Sequence, residues 1–162
     1  MSVQPIRIWF SAAHNAAFRC GGWAYVREAG GALSGAAGGE RNVTAGRIEL
    51  AGLAAALADL PPGAAVSLHT ASPTLLRAGR LIAGTASGEE APAEDLDLWA
   101  RVTAAARGRT VRLVRAETGR RTPTAFADAW AELGRDKAKA TGAFANAIPK
   151  PNLAKVMGLE AS

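Results

Sequence analysis

The chain has a single cysteine, a single tyrosine, two histidines and two methionines in 162 residues. One cysteine excludes an intramolecular disulfide and argues against a cysteine-based zinc site; Cys20 reads as a small packing residue. No apolar run is long enough to cross a bilayer. Met1 to Ile8 lacks the basic and apolar regions of a secretory leader. A cytoplasmic location is therefore expected, with no membrane partner. There is no Walker-type phosphate loop, dinucleotide fingerprint or nucleophile elbow. Gly31, Gly35, Gly38 and Gly39 lack the strand-to-helix setting such motifs need.

What is present is apolar and basic. Hydrophobic residues make up 49% of the chain and charged residues 20%, as in an ordinary soluble domain. Fifteen of the nineteen basic residues are arginine, and the net charge is +5. The charge is unevenly placed. Glu89, Glu90, Glu94, Asp95 and Asp97 form an acidic cluster. Arg101, Arg107, Arg109, Arg112, Arg115, Arg120 and Arg121 follow, opposed only by Glu117. Such a stripe is either a solvated face or a phosphate-contacting surface.

The periodicity predicts the elements in turn. Ile6, Ile8 and Phe10 alternate with Arg7 and Trp9, which marks a strand over Pro5 to Ala12. Trp23 to Glu28 reads as a second strand. Gly30-Gly31 turns the chain into a third, about Ala32 to Ala37. Thr44 caps a helix from Ala45 to Leu60, ended by Pro61-Pro62. Ala65 to Thr70 is a fourth strand, and Pro73 opens a helix through Ile82. Gly84 to Glu94 reads as a loop. Asp95 to Ala106 is helical, Thr110 to Arg115 a fifth strand, and Pro123 to Ala140 a long helix. Val111, Leu113 and Arg115 fall on one face of the fifth strand, and Arg112 and Val114 on the other. The domain is placed at 1–142. Residues 143–162, with Pro149 and Pro151, are expected to be a loosely packed tail with a short terminal helix. The order implies an α/β fold with a five-stranded mixed sheet, its first three strands antiparallel, flanked by helices.

Six local sequences in this order resemble the ribonuclease H family over about residues 5 to 140. They are Ile8 to Ala12, Gly21-Gly22-Trp23-Ala24, Thr44 to Leu50, Leu68 to Ser72, Asp97-Leu98-Trp99 and Ala127 to Ala131. The resemblance implies a ribonuclease H-like fold and a site where four carboxylates hold two divalent ions that cleave a phosphodiester. Those positions here read Ser11, Glu49, Ala71 and Asp128, so the first and third have lost their carboxylates. The family's mobile histidine falls at Glu117, with one residue inserted before Asp128. His69 precedes the third position and is expected to point to the opposite sheet face. His14 reads as a solvated polar residue.

The groups with which the family senses RNA 2′-hydroxyls are also replaced, by Ala17, Ala45, Gly46 and Pro73. Thr44 and Arg47 match residues that lie near a backbone phosphate, though an N-cap and a helix-surface arginine explain them equally. Where many bacterial relatives insert a basic handle, Gly84 to Glu94 is acidic.

The leading expectation is a catalytically inactive ribonuclease H-like protein retained for binding nucleic acid. The binding residues would be Thr44, Arg47, Arg107, Arg109, Arg112, Arg115, Arg120 and Arg121, and no cofactor would be needed. One alternative is an active nuclease with a remodelled site, in which Glu49, Asp128 and Glu117 hold a single Mg²⁺ or Mn²⁺ with His69 nearby. Another is a protein-interaction module using the acidic loop and the tail.

Overall fold

The computed structural model describes residues 5–83 and 92–161. Three ten-residue strands, β1 (Ile6–Asn15), β2 (Cys20–Ala29) and β3 (Ala32–Arg41), form an antiparallel meander. Then come α1 (Ala45–Leu57), β4 (Ala65–Thr70), α2 (Pro73–Arg77), α3 (Gly79–Ala83), α4 (Leu96–Ala106), β5 (Thr110–Arg115), α5 (Pro123–Thr141), β6 (Phe144–Ala147) and α6 (Lys150–Leu153). The sheet order is β5-β4-β1-β2-β3-β6. β4 runs parallel to both β1 and β5, and β6 antiparallel to β3.

Strand alternation sorts the apolar residues onto two faces. Ile6, Ile8 and Phe10 join Trp23 on one face, where Ile48, Leu53 and Leu57 of α1 and Leu98 and Val102 of α4 complete the larger core. Trp9, Ala24 and Val26 face the other way, against Ala131 of α5 and Ile148, Leu153 and Val156. The sheet therefore sits between α1 and α4 on one side and α5 on the other. Thr44 caps α1 by accepting from the Arg47 amide at 3.1 Å, and Thr122 caps α5 in the same way through Ala125. Two arginines reach the far ends of these helices. Arg27 donates to the carbonyls of Ala56 and Ala58, and Arg41 to those of Ala138 and Lys139, at helix ends where carbonyls run out of intrahelical donors.

Helix α5 lies directly on the backbone of β2 and β3. A Cβ on Gly22 would land on the α5 backbone between Ala131 and Arg135, and one on Gly39 would come 2.8 Å from the Ala138 Cβ. Missing side chains on both elements allow this approach.

The sheet differs from expectation in having six strands rather than five. Phe144–Ala147, Phe-Ala-Asn-Ala, has little strand propensity of its own. It becomes a strand because β3 continues to Arg41, four residues past its expected end, and offers a free edge. The segment after Gly142 is consequently not loose throughout, since Ile148, Leu153 and Val156 are buried. The expected helix from Pro73 to Ile82 is two short ones, broken at Ala78. Of the acidic loop, Gly84 to Ala91, with Glu89 and Glu90, lies outside the described residues.

Candidate functional site

The positions matching the family's four carboxylates come from separate elements and do converge. Ser11 lies in β1, one residue beyond buried Phe10. Glu49 lies on α1, Ala71 just past the end of β4, and Asp128 on α5. Together with Phe10, Ala12, Thr70, Ser72 and Thr124 they line a cleft of about 230 Å³ at the carboxyl end of β4. Open α/β sheets place ligand sites beyond such strand ends.

Each remaining carboxylate is held by a serine. The Ser11 hydroxyl donates to Asp128 Oδ1. The Ser72 hydroxyl donates to Glu49 Oε1 at 2.9 Å and also caps α2 by accepting from the Leu75 amide at 3.2 Å. Burial pushes the Glu49 carboxyl above its ordinary range, and the Ser72 hydroxyl partly opposes that shift. Thr70 is buried and accepts from the Ser72 amide at 3.1 Å, which fixes the bend after β4. Ser72, Thr70 and Thr124 join the cleft without a role expected from sequence. Thr124 could have been found from spacing, because it precedes Asp128 by four residues on one helix face.

The donor set does not fit a pair of divalent ions. Hard cations require several anionic oxygens. The cleft offers two carboxylates and four hydroxyls, and Ala71 offers no side-chain donor. Among the described residues, no three His, Cys, Asp or Glu side chains are grouped as a metal site would need. Glu117 is exposed on the loop after β5 and is not among the residues lining the cleft. The placement of Glu117 beside Glu49 and Asp128 is thus not met. Its electrostatic influence falls on His69 instead.

His69 is not on the sheet face opposite Ser11. It stands in register with Trp9, two residues before Ser11 on β1 and on the same face, and its ring stacks on the Trp9 indole with centroids 5.4 Å apart. His69 and Ala71 are separated by an even step, so strand alternation does not set them on opposite sides. Burial, with Arg7 and Arg112 nearby, holds the His69 imidazole below its usual range. His14 is tied to the Val43 carbonyl at 2.7 Å rather than free in solvent.

The basic residues divide by use. Arg47 makes a forked pair with Asp97, at 3.0 and 2.7 Å, and reaches Asp95 at 3.2 Å. This pairing drops the Asp97 carboxyl to about 2. The Arg109 guanidinium donates to the carbonyls of Leu60, Pro61 and Arg107, which ties the turn before β4 to the start of β5. Arg107, Arg112, Arg115, Arg120 and Arg121 are exposed. They do not form one face: alternation along β5 sends Arg112 to the side of His69 and Arg115 to the side of buried Thr70, with which it is in register. Arg115 is therefore the register neighbour of a residue that lines the cleft.

The fold is that of ribonuclease H: a mixed sheet with this strand order, carrying a cleft of carboxylates and hydroxyls beyond β4. The chain is similar to the N-terminal RNase H domain of a Mycobacterium tuberculosis protein, solved as a fusion with maltose binding protein. That match has 19% identity and a TM-score of 0.60, and covers 85% of this chain and 98% of the other. It is also similar to LC9-RNase H1, described as a type 1 RNase H with the type 2 active-site motif. There the identity is 14%, the TM-score 0.64, and the coverage 99% of this chain and 84% of the other. RNase H1 from the halophilic archaeon Halobacterium salinarum aligns at 22% identity and a TM-score of 0.56, covering 83% of this chain and 99% of that one. No protein-family model matches the chain, and no curated protein does. No helix among the described residues is long and apolar enough to cross a membrane.

Proposed function

We propose that this domain is a ribonuclease H fold that binds nucleic acid without cleaving it. The observation that carries the reading is the pairing inside the cleft. Where the family's chemistry needs carboxylates to grip ions, Ser11 donates to Asp128 and Ser72 donates to Glu49. A hydroxyl that donates to a carboxylate takes up acceptor capacity an ion would use. Binding rests on Arg115, in register with cleft-lining Thr70, and on exposed Arg120 and Arg121, all able to contact phosphates; Arg112 lies on the other face of the sheet. The solved structures of the same fold are named as ribonucleases H, which makes a duplex or hybrid backbone the first substrate class to test. The active reading requires a third carboxylate in the cleft, and Glu117 does not line it.

The test is a binding titration against an RNA/DNA hybrid, duplex RNA, duplex DNA and single strands, with Mg²⁺ or Mn²⁺ present and cleavage scored in the same samples. The expected result is binding that weakens steeply with salt and no metal-dependent product. Turnover that disappears in Glu49→Ala would refute the inactive reading. Absence of binding even at low salt would refute the nucleic-acid reading and favour a protein-interaction role.

A further inference from the structure

The two ends of the sheet are unlike. β5 closes one end and carries exposed Arg112 and Arg115, the kind of charge that discourages another strand from adding to an edge. β6 closes the other with Phe144, Ala145, Asn146 and Ala147, none of them charged.

The register shows which groups that edge offers. The Ile148 amide donates to the Gly35 carbonyl at 2.9 Å, which makes Gly35 and Ile148 a hydrogen-bonded pair of the antiparallel ladder. Such pairs alternate. Asn146 opposite Ala37 and Phe144 opposite Gly39 then bond inward to β3. Ala145 and Ala147, opposite Gly38 and Ala36, turn their N–H and C=O groups outward.

Beside this edge, on the face that carries α5, runs a groove of about 260 Å³. Trp130, Leu133 and Lys137 of α5 form one wall, and Phe144, Asn146 and Ala147 of β6 the other. Leu133 is 59% exposed, one of few large apolar side chains left in solvent. A strand laid along β6 would drop alternate side chains into this groove.

We propose that the β6 edge is a docking site for an extended segment of a partner protein, in which apolar residues alternate with acidic ones. The apolar side chains would cover Leu133 and Trp130. The backbone would pair with Ala145 and Ala147, which is strand addition to an open edge. The charge of the site selects the acidic partner. Lys137 lines the groove with its ammonium 4.4 Å from the Phe144 ring centre, and exposed Lys150 follows Pro149 at the end of the edge. The same lysines oppose a second copy of the chain, as does the net charge of +5. A nucleic acid is the poorer fit, because it offers neither apolar side chains to cover Leu133 and Trp130 nor a peptide backbone to pair with Ala145 and Ala147. This site is separate from the cleft and does not depend on the nucleic-acid reading.

The experiment is a display selection of short extended peptides of alternating apolar and randomised residues against the full chain, followed by amide hydrogen exchange with the enriched peptides bound. Acidic residues should be enriched at alternate positions, and exchange should slow at Ala145 and Ala147. Ala147→Pro removes an outward donor, and Leu133→Glu puts a like charge against acidic peptides on an exposed helix position; each should weaken binding about tenfold or more. Lys137→Glu should reverse the preference toward basic peptides. Circular dichroism establishes that each variant is folded, and Leu133→Glu keeps the test valid if Ala147→Pro is not. No enrichment, or enriched peptides that bind all folded variants equally, overturns the proposal. So does protection of the same amides by an oligonucleotide in place of a peptide. Concentration-dependent dimerisation lost in Leu133→Glu overturns it in favour of a second copy.

Discussion

Two glycines of α1 give a matched pair of substitutions with opposite expected signs. Gly46 is exposed in the first turn, and a Cβ there meets nothing within 4 Å. Gly52 is buried, and a Cβ there would come 2.5 Å from the Trp23 Cβ and 2.6 Å from the Phe10 Cε2. Replacing glycine by alanine in a helix interior gains about 1 kcal/mol from backbone propensity, and somewhat less near the end. Gly46→Ala should therefore raise stability by roughly 0.5 kcal/mol. At Gly52 the same gain is opposed by overpacking, which costs about 1–3 kcal/mol. The upper end applies because the Trp23 Cβ is fixed to β2 and cannot rotate away. To reach an ordinary 3.4 Å contact, α1 must retreat from the sheet by nearly 1 Å. Gly52→Ala should lose about 2 kcal/mol net, a fall in Tm of roughly 4–8 °C for a domain of this size. Urea melts followed by tryptophan fluorescence read both variants on one scale. Equal stability of the two would refute the packing argument. The retreat also carries Glu49, one turn before Gly52, so ¹³C chemical shifts of the Glu49 carboxyl should change in Gly52→Ala and not in Gly46→Ala.

Other outcomes follow from the cleft and the ion pairs. Glu49 titrates high, so the folded state holds its proton more tightly than the unfolded chain does, and stability falls as pH rises through the folded-state value. Glu49→Gln should accordingly be more stable than the parent at neutral pH and equal to it in acid, as measured by denaturant melts across pH. Asp97 titrates at about 2, below its ordinary 3.8, so its contribution is full above 3.8 and is lost as pH falls through 2. Arg47→Ala should flatten acid unfolding in that window, and a parent-like acid limb would show that the fork is not populated in solution. Restoring carboxylates with Ser11→Asp and Ala71→Asp together should create a cleft whose Tm rises with added Mg²⁺, since a ligand of the folded state stabilises by mass action. No shift in the double variant would mean that the backbone has moved beyond repair. Removing Arg115, Arg120 or Arg121 should each lower the salt slope of nucleic-acid binding by about one.

The order of strands and helices was legible because apolar side chains keep their period in β1, α1, α4 and α5. Legibility fails where the determinant is another segment. Gly38 and Gly39 look like the end of a strand, yet they extend β3: the missing Cβ of Gly39 leaves room for α5, and that of Gly38 leaves room for the Trp23 ring on the other face. Phe144 to Ala147 carries no strand signal alone; it pairs with Ala36 and Ala37 of the expected strand and with Gly38 and Gly39 of that extension. The site follows the same division. Ser11, Glu49, Ala71 and Asp128 could be placed by resemblance, since each sits at the end of a recognisable element. The Ser72–Glu49 bond could not, because it depends on the bend that Thr70 holds. Arg47 reads as available for phosphate until α4 brings Asp95 and Asp97 against it.

The two serine–carboxylate bonds also bear on how the molecule is held closed. Ser11 belongs to β1 and Asp128 to α5; Ser72 belongs to the bend after β4 and Glu49 to α1. Each bond fastens one of the helices on opposite sides of the sheet to its centre. A cluster of four carboxylates would push these elements apart until a cation drew them together, so its closed form would be linked to ion concentration. In the reading proposed above, neutral hydroxyl donors replace that linkage. The cleft is then assembled by folding alone, and its stability should not respond to a chelator.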